Sequence, residues 1–341
     1  MKLTLAIPGL TWLDAYDGAE VTHALETPAL NRLLARARLS AAPRPLSSLL
    51  GQPFGLSELN VARMAALGAG LDGTRGAWLV ADPVHLRLER DRALLADVGV
   101  MRLSAEEASA LTADLNLHFA DDGLRFHAPS PGRWFLELAQ APAARFSPLP
   151  DVIGDNVNDH RPQGRAGLEW GRLQNEMQML LFAHPVNQAR EARNETPVNS
   201  LWLWGGGESA TLVRGAGDLY SDDGVHHILA RACDQSCLPA PYTLAALLEV
   251  FSERASGANS VWVQLDRLQA AAQYRDAWGW REALLALETD WFAPLLAALK
   301  QGRIQSLTLV AHGSAGFSAE LGRPDLWKFW RRARALPSLY R

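Results

Sequence analysis

The stretch LEWGRLQNEMQMLLFAHPVNQAREARNETPVNSLWLWGGG, residues 168–207, carries the pattern on which the predicted fold depends. Residues 168–184 repeat apolar side chains with the 3.6-residue period of an amphipathic helix. Residues 200–204, SLWLW, form a short apolar run that stops at three glycines, which is typical of a buried strand. A helix followed by a strand is the unit from which α/β proteins are built.

The same alternation of helices and strands recurs along the chain. Further strands are predicted at residues 3–7, 260–265 and 306–313, with two more around a Pro/Gly turn in residues 123–138. Further helices are predicted at residues 27–37, 103–119, 224–233 and 280–302. Thr27 and Ser104 are predicted N-caps, and Glu107 completes a capping box with Ser104. We therefore predict an α/β protein with a mainly parallel sheet.

Composition narrows the class of protein. The chain has 341 residues, 48% of them hydrophobic and 21% charged, which predicts a soluble globular protein of one large or two smaller domains. A net charge of −4 argues against a general nucleic-acid or anionic-membrane surface. No apolar stretch reaches the roughly 20 residues that span a bilayer. Only Cys233 and Cys237 are present, so we expect two buried thiols in a reducing compartment, the cytoplasm.

Ligands of parallel sheets bind beyond the carboxyl ends of the strands. Residues 184–209 and 311–314 both follow or approach predicted strand ends, and we expect them at this edge. Backbone amides of Gly205 and Gly206 could cradle a phosphate there, although a glycine run after a strand also forms a tight turn.

Several separate segments together resemble a known family. They are ETPALNRLLARA (residues 26–37), AALGAGLDGTRGAWLVADPVHL (65–86), LSAEEASAL (103–111), DDGLRFHAPSPGRWFLEL (121–138) and HPVNQAREARNETPVNSLWLWGGG (184–207). These segments are similar to the archaeal-type, cofactor-independent phosphoglycerate mutases of the alkaline phosphatase superfamily. Among relatives of these mutases, the bacterial regulatory proteins of the RpfE type look most similar. The resemblance implies an alkaline-phosphatase-like core, residues 1–70 and 150–341, interrupted by a smaller inserted α+β domain, residues 71–149.

The resemblance also implies two divalent metals, such as Mn or Zn, and a transiently phosphorylated serine. Hard or borderline cations need carboxylate and imidazole ligands. Here Pro8 stands where the first aspartate is expected, QAAAQ (residues 269–273) replaces a DEAGH-like segment, and Ala311 precedes His312 in place of an aspartate. Only His312 remains of these ligands. We therefore expect a degenerate member with no metal cofactor, a pseudoenzyme in which Ser47, or Ser48, occupies the place of the nucleophile.

Four residues match the family's HPVN…R…AN block: His184, Asn187, Arg190 and Asn199. They are predicted to recognise a small phosphorylated or carboxylated ligand, with Arg190 able to give a bidentate contact. Alternatively, they brace the loop after the preceding helix. His312 is predicted either to donate a hydrogen bond to ligand or to be a structural histidine.

Two other functions stay open at this point. An active metal-dependent phosphoglycerate mutase or phosphatase could use Ser47 with a relocated metal site at Asp218, Asp222 and His226. Against that site, Asp222 or Asp223 could simply cap the helix that follows. A protein partner could instead bind the Trp/Arg-rich tail, residues 325–341.

Overall fold

The computed structural model describes residues 1–14, 16–73, 76–89, 92–96, 101–207, 212–215, 217–253, 259–313, 315–328, 330–331 and 336–339. Internal contacts divide the chain into two compact units. The first unit comprises Met1–Ser57 and Leu212–Arg341, and the second comprises Glu58–Thr211. The boundaries of these two units differ from those of the inserted domain expected at residues 71–149. That inserted domain stays a prediction.

The described residues form strands and helices in both units. The strands are β1 (Lys2–Ala6), β2 (Arg38–Ala41), β3 (Ala77–Glu89), β4 (Arg92–Ala96), β5 (Arg125–Ser130), β6 (Arg133–Leu138), β7 (Ser200–Trp204), β8 (Asp218–Tyr220), β9 (Cys237–Leu238), β10 (Ser260–Gln264), β11 (Ser306–Val310) and β12 (Phe317–Gly322). The α-helices are Gly18–Val21, Pro28–Arg36, Leu46–Gly51, Ala62–Gly68, Ala105–His118, Gly167–Phe182, Pro185–Ala192, Gly224–Ala232, Leu244–Glu253, Gln269–Gln273, Ala277–Leu287 and Ala293–Lys300.

The first unit is built on a seven-stranded sheet with the order β2-β12-β11-β1-β10-β8-β9. β1 lies between β10 and β11 and is parallel to both. β8 continues the parallel ladder beside β10, whereas β12 is antiparallel to β11 and to β2. The predicted α/β class with a mainly parallel sheet flanked by helices is confirmed.

The central strand explains why the sheet is buried on both faces. Leu3, Leu5, Ala6 and Ile7 are all buried in one cluster with apolar side chains of the flanking helices. A parallel strand covered on both faces needs such a near-continuous apolar run, and LTLAI supplies it. The indoles of Trp12 and Trp280 meet edge to face in the same cluster, with ring centroids 5.7 Å apart.

The helix predicted at residues 280–302 is interrupted in the structure. Ala277–Leu287 is α-helical, Glu288–Phe292 is a π-turn, and Ala293–Lys300 resumes the α-helix. Pro294 lies in the first turn of this last helix, where its missing N–H costs least. The long helix expected at residues 280–302, if Pro294 allowed it, is thus helical as far as Lys300, with one π-helical turn just before the segment that contains Pro294.

The helix Pro28–Arg36 is capped by Glu288 from a distant segment, and not by the side chain of the predicted N-cap, Thr27. The Thr27 side chain makes no capping hydrogen bond to Pro28–Arg36, although Thr27 stands at the N-cap. Instead, the buried Glu288 carboxylate accepts hydrogen bonds from the main-chain N–H groups of Ala29 and Leu30. A carboxylate at a helix N-terminus satisfies two orphan donors and favours the helix dipole.

The second unit has an α+β architecture with an antiparallel sheet. Its strands have the order β4-β3-β6-β5, and β7 pairs with β3. In the helix Ala105–His118, the predicted capping box of Ser104 and Glu107 is confirmed. The two strands around the Pro/Gly turn are also confirmed as β5 and β6.

The position of β7 corrects one expectation. β7 is antiparallel to β3, with Val80 opposite Trp204, so residues 184–207 do not follow or approach the carboxyl end of a strand in the parallel sheet. All five residues of β7 are buried. A strand that is buried on both faces has a continuous apolar run whether its sheet is parallel or antiparallel. The sequence of β7 therefore did not show which sheet it joins.

No helix in the described ranges is long and apolar enough to cross a lipid bilayer.

Substituting Glu288 tests this long-range cap. Glu288→Ala leaves two main-chain donors at the start of Pro28–Arg36 without an acceptor, and we expect it to lower the free energy of unfolding by about 1–3 kcal/mol. Glu288→Gln keeps one acceptor oxygen and loses less. The measurement is urea unfolding followed by circular dichroism. Glu282→Ala, an exposed carboxylate on the helix before the π-turn, is the control and changes stability by about 0.5 kcal/mol or less. Equal effects of Glu288→Ala and Glu282→Ala would refute the cap.

Candidate functional site

The carboxyl edge of the seven-stranded sheet gathers polar side chains from several strands. β2 runs in the same direction as β11, because both are antiparallel to β12, so the residues after β1, β2, β8, β10 and β11 share this edge. Those residues include Ser47 after β2, Asp223 after β8, Asp266 after β10 and His312 after β11. Two predicted site residues, Ser47 and His312, therefore belong to the edge at which α/β proteins bind ligands.

His312 is a buried and neutral histidine. Its Nδ1 accepts a hydrogen bond from the Gly9 main-chain N–H at 3.2 Å, and its carbonyl oxygen accepts one from Thr11 Oγ1 at 2.7 Å. Burial lowers the pKa of His312 to about 4. With Nδ1 acting as acceptor, the proton of the neutral ring resides on Nε2. His312 can therefore donate through Nε2, as one of the two predictions for it requires.

Gly9 makes this contact possible. Its φ is +76°, and a Cβ there would lie 2.8 Å from the main-chain oxygen of Leu268. Only glycine accepts both the left-handed conformation and this close approach. The main chain after β1, where Pro8 has replaced an expected metal ligand, therefore turns tightly between His312 and the segment after β10.

Ser47 lies in the short helix Leu46–Gly51 and is buried. The loop that precedes it is fixed to the strand end that carries His312, because Gly313 N donates to the Arg44 carbonyl oxygen at 2.8 Å. The Arg44 guanidinium donates to Gln52 Oε1 at 2.9 Å, which holds it on the same loop. Ser47 and His312 thus belong to two segments that the main chain ties together.

Gln264 and Asp266 are edge residues that the sequence analysis missed. Gln264 is fully buried, and neither atom of its amide makes a well-formed hydrogen bond within the described residues. Burial raises the pKa of Asp266 to about 7, and the nearby Asp223 and Asp222 add to that rise, whereas the Gln264 side chain opposes it. The signal was present in SVWVQLD, where a polar residue ends an apolar strand. Buried polar atoms of this kind are usually satisfied by water or ligand.

The residues present do not fit two divalent cations. Within the described part of the chain, no group of three His, Cys, Asp or Glu side chains is placed to hold a metal ion. The expected ligand positions hold Pro8, the amide and methyl side chains of Gln269–Gln273, and Ala311.

Two residues of the alternative site at Asp218, Asp222 and His226 make hydrogen bonds within the protein. His226 Nε2 is hydrogen-bonded to the Leu50 carbonyl oxygen at 3.1 Å, and burial lowers the pKa of His226. Asp222 Oδ1 accepts from Ala240 N at 3.2 Å. Asp223, the second of the two suggested caps, is the one that caps Gly224–Ala232, through Val225 N.

Cys233 and Cys237 are free thiols that are half-buried, which corrects the expectation of full burial. Burial raises the pKa of both thiols, that of Cys237 to about 11. Thiols with raised pKa values are poor nucleophiles at neutral pH.

The predicted ligand-recognition block lies in the second unit, and its first two residues hold the turn between two helices. His184 Nδ1 accepts from Val186 N at 3.1 Å and so caps Pro185–Ala192, and its Nε2 lies 3.0 Å from Asp114 Oδ2. Asn187 donates to the carbonyl oxygens of Leu181 and Val198, each at 2.7 Å, and accepts from Val198 N at 2.9 Å. These are bracing contacts.

Arg190 and Asn199 are engaged in the same way. Arg190 is fully buried and donates to the carbonyl oxygens of Thr196 and Met101 and to Glu107 Oε2, the last at 2.6 Å. Asn199 makes a paired contact with Leu86, accepting from its N–H at 2.7 Å and donating to its oxygen at 2.9 Å. All four matching residues thus have protein partners, and ligand recognition by them stays a prediction.

The glycine run after β7 allows close packing. Gly205 has a φ of +74°, and its carbonyl oxygen accepts from Ala62 N at 2.9 Å. A Cβ on Gly206 would lie 2.3 Å from Leu79 Cδ2. Close packing thus explains why glycine stands at these positions. Phosphate binding by their amides stays a prediction. Residues 208–209 of the predicted edge segment 184–209, and Ser314 of the segment 311–314, lie outside the described residues.

The tail exposes two of its tryptophans. Trp327 and Trp330 are 75% and 68% exposed. Residues 329, 332–335 and 340–341 lie outside the described residues, so the tail as a partner-binding segment stays a prediction.

Comparison with known proteins finds relatives that are named phosphoglycerate mutases. No protein-family model matches the chain. The chain is 27% identical over 214 residues to the 2,3-bisphosphoglycerate-independent phosphoglycerate mutase of Methanosarcina mazei, covering 57% of this chain and 52% of that protein. It is 27% identical over 218 residues to the Methanosarcina barkeri protein of the same name, with 58% and 52% coverage. A protein of that name from Methanothrix thermoacetophila is 32% identical over 121 residues, 36% of this chain and 30% of the relative.

The chain spans about half the length of these two Methanosarcina relatives, at 52% of each. Among solved structures, the cofactor-independent phosphoglycerate mutase from Thermoplasma acidophilum DSM 1728 overlaps with a TM-score of 0.38 at 14% identity, over 99% of this chain and 94% of that one. The PH0037 protein from Pyrococcus horikoshii overlaps with a TM-score of 0.49 at 15% identity, over 94% and 87%. In sequence, the chain is thus similar to phosphoglycerate mutases over more than half of its length.

Substituting Arg190 tests whether its side chain stabilises the fold or serves only to bind a ligand. Arg190→Met leaves Glu107 and two main-chain oxygens without a buried donor, and we expect a loss of about 3–5 kcal/mol in the free energy of unfolding. Arg193→Ala removes a half-exposed partner of the same Glu107, and we expect it to leave the free energy of unfolding almost unchanged. Both are measured by urea unfolding without added ligand. If Arg190→Met is as stable as Arg193→Ala, the bracing role is wrong.

Asp266→Asn tests the polar cluster after β10 through its pH dependence. The folded-state pKa of Asp266, about 7, lies above the ordinary value of 3.8. The carboxyl group therefore costs nothing when protonated at pH 4 and destabilises the fold as the pH rises through 7. We expect the variant to gain stability relative to the unmodified chain between pH 4 and pH 8, by about 4 kcal/mol at most. The exposed Asp234→Asn serves as control, and a pH-independent difference for Asp266→Asn would contradict the burial of the charge.

Proposed function

We propose that this chain is a phosphoglycerate-mutase-like protein that has lost the metal centre and acts by binding rather than by catalysis. Its ligand is a small phosphorylated or carboxylated molecule, bound at the carboxyl edge of the seven-stranded sheet, and its role is regulatory. The observation that carries the proposal is the buried, neutral His312, whose Nδ1 is taken by Gly9 and whose Nε2 remains a hydrogen-bond donor at that edge.

The chemistry of the edge favours binding over phosphoryl transfer. A serine needs a general base or a metal to become a useful nucleophile. With a pKa of about 4, His312 is a weak base at neutral pH, and its Nδ1 already accepts a main-chain hydrogen bond. The carboxylates that would hold metals in the similar mutases are replaced by Pro8, Gln269 and Ala311.

Charge divides the edge into two halves and orients the ligand. Asp222, Asp223 and Asp266 lie after β8 and β10, and burial, with added repulsion from the other two carboxylates, raises the pKa of Asp266. An anionic group is disfavoured there and favoured on the side of β11 and β2, where the Nε2–H of His312 and the loop of Arg44 lie. Hydroxyl or protonated groups of the same ligand would suit the buried Gln264 amide on the acidic half.

The relatives suggest the first ligand to try. The Methanosarcina mazei protein is named a phosphoglycerate mutase, and 3-phosphoglycerate carries both a phosphate and a carboxylate. We therefore use 3-phosphoglycerate as the probe for this chain.

The test combines binding, turnover and metal content on the full chain. We expect 3-phosphoglycerate to bind in calorimetry, His312→Ala to weaken binding at least tenfold, and no conversion to 2-phosphoglycerate with Mn²⁺ or Zn²⁺. Elemental analysis after incubation with these metals and removal of the excess is expected to find less than stoichiometric metal. Ser47→Ala and the matched Ser48→Ala should leave this absence of turnover unchanged.

Three outcomes would overturn the proposal. Metal-dependent turnover that Ser47→Ala abolishes and Ser48→Ala retains would establish the active-enzyme alternative. Binding that His312→Ala leaves unchanged would remove the edge as the ligand site. Failure of 3-phosphoglycerate, inorganic phosphate and succinate to bind would remove the anionic ligand class.

A further inference from the structure

A second candidate site lies in the other unit, along the helix Gly167–Phe182. A groove of about 840 Å³ runs beside this helix and is also lined by β7 and by residues 157–162. The lining includes Leu168, Gly171, Met179 and Phe182 of the helix and Trp202 of β7, and from the stretch 157–162 only Val157, Asn158, Arg161 and Pro162. The helix spans about 21 Å from Leu168 to Phe182 at 1.5 Å per residue, which is the length of about four helical turns.

The helix has two apolar sides, and the residues that the structure describes cover only one of them. Trp170, Met177 and Leu181 are buried in the core of the second unit. On the side that faces the groove, Leu168, Met179 and Phe182 are 86%, 68% and 77% exposed. Three large apolar side chains on one helix face, beside a groove, are the arrangement that a docked helix covers with its own apolar face.

Gly171 supports a close approach of a partner's main chain. It lies inside the helix, where glycine is unfavourable relative to alanine. A Cβ placed on Gly171 would meet no atom within 4 Å, so nothing described in this chain requires glycine there. A partner that packs directly on this backbone would supply the missing reason.

The charge of the groove indicates which partner fits. Arg161 and Arg172 line it together with amides such as Asn175 and Gln178, and no carboxylate is among the lining residues described. The helix carries Glu169 and Glu176 outside the lining, and Glu176 pairs with His118 at 2.7 Å. The groove is therefore positive in a chain whose net charge is −4.

We propose that this groove binds an amphipathic helix of a partner protein that bears acidic side chains beside its apolar face. The apolar face of that helix packs on Leu168, Met179 and Phe182, its backbone approaches at Gly171, and its carboxylates pair with Arg161 and Arg172. A second copy of this chain fits less well, because a two-fold contact would bring the two Arg172 side chains towards one another. This site is independent of the carboxyl edge of the first unit.

The test uses three labelled 18-residue peptides with the same leucine-rich helical face and with Glu, Gln or Lys at every polar position. Fluorescence anisotropy with the full chain is expected to give at least tenfold tighter binding of the Glu peptide than of the other two. Arg172→Gln should remove most of the preference for Glu over Gln, and Gly171→Leu should abolish binding. Leu117→Ser, which alters an equally exposed leucine on the helix Ala105–His118, is the matched control and should bind normally.

Gly171→Ala distinguishes a binding role from a structural one. We expect this variant to melt a few degrees higher, because alanine favours the helix, and to bind the Glu peptide more weakly. Equal binding of the Glu and Lys peptides, no binding of any peptide, or unchanged binding by Gly171→Ala and Gly171→Leu would overturn the proposal. So would a dimer in sedimentation velocity that Gly171→Leu converts to monomer, since the occupant would then be a second copy. Displacement of the Glu peptide by laurate at a lower concentration than the unlabelled peptide would assign the groove to a small amphipathic anion and would also overturn it.

Discussion

The hydrogen-bonded ladder of β1 is the constraint on which the first unit depends. Lys2–Ala6 pairs in register with Ser260–Gln264 on one side and with Ser306–Val310 on the other. Its backbone groups are buried and must be paired, and only these two distant segments supply partners. The same ladder brings the residues after β1, β10 and β11 to one edge, so the position of Gly9, Gln264 and His312 follows from it.

The pKa values of His312 and Asp266 at that edge are shifted by burial and, for Asp266, by neighbouring charges. Among the described residues, no neighbouring charge favours the protonated form of His312, and burial lowers its pKa. Asp266 has two carboxylates nearby as well as burial, and both favour its protonated form. The edge therefore combines a hydrogen-bond donor, His312, on one half with a carboxyl group of raised pKa, Asp266, on the other.

Much of the fold could be predicted from the sequence, because its elements obey local rules. Apolar periodicity located the helices and the strands, and the pair Ser104 and Glu107 located a helix start. Long-range effects could not be predicted. The cap from Glu288 depends on a contact between segments about 260 residues apart, and the sheet to which β7 belongs depends on β3. For the site, the sequence pointed to Ser47 and His312. It missed Gln264, because a single glutamine after a strand has no motif, and its burial is visible only in three dimensions.

The division into units has a consequence for synthesis of the chain on the ribosome. The second unit, Glu58–Thr211, is continuous in sequence, so all of its strands and helices have emerged before residue 260 is added. The apolar strand β1 is made first but gains its two neighbours last, after β10 and β11 have been translated. Domains fold as units during translation, and unpaired apolar strands are prone to aggregate. The apolar side chains of β1 therefore stay without the rest of their sheet until β10 and β11 have been translated.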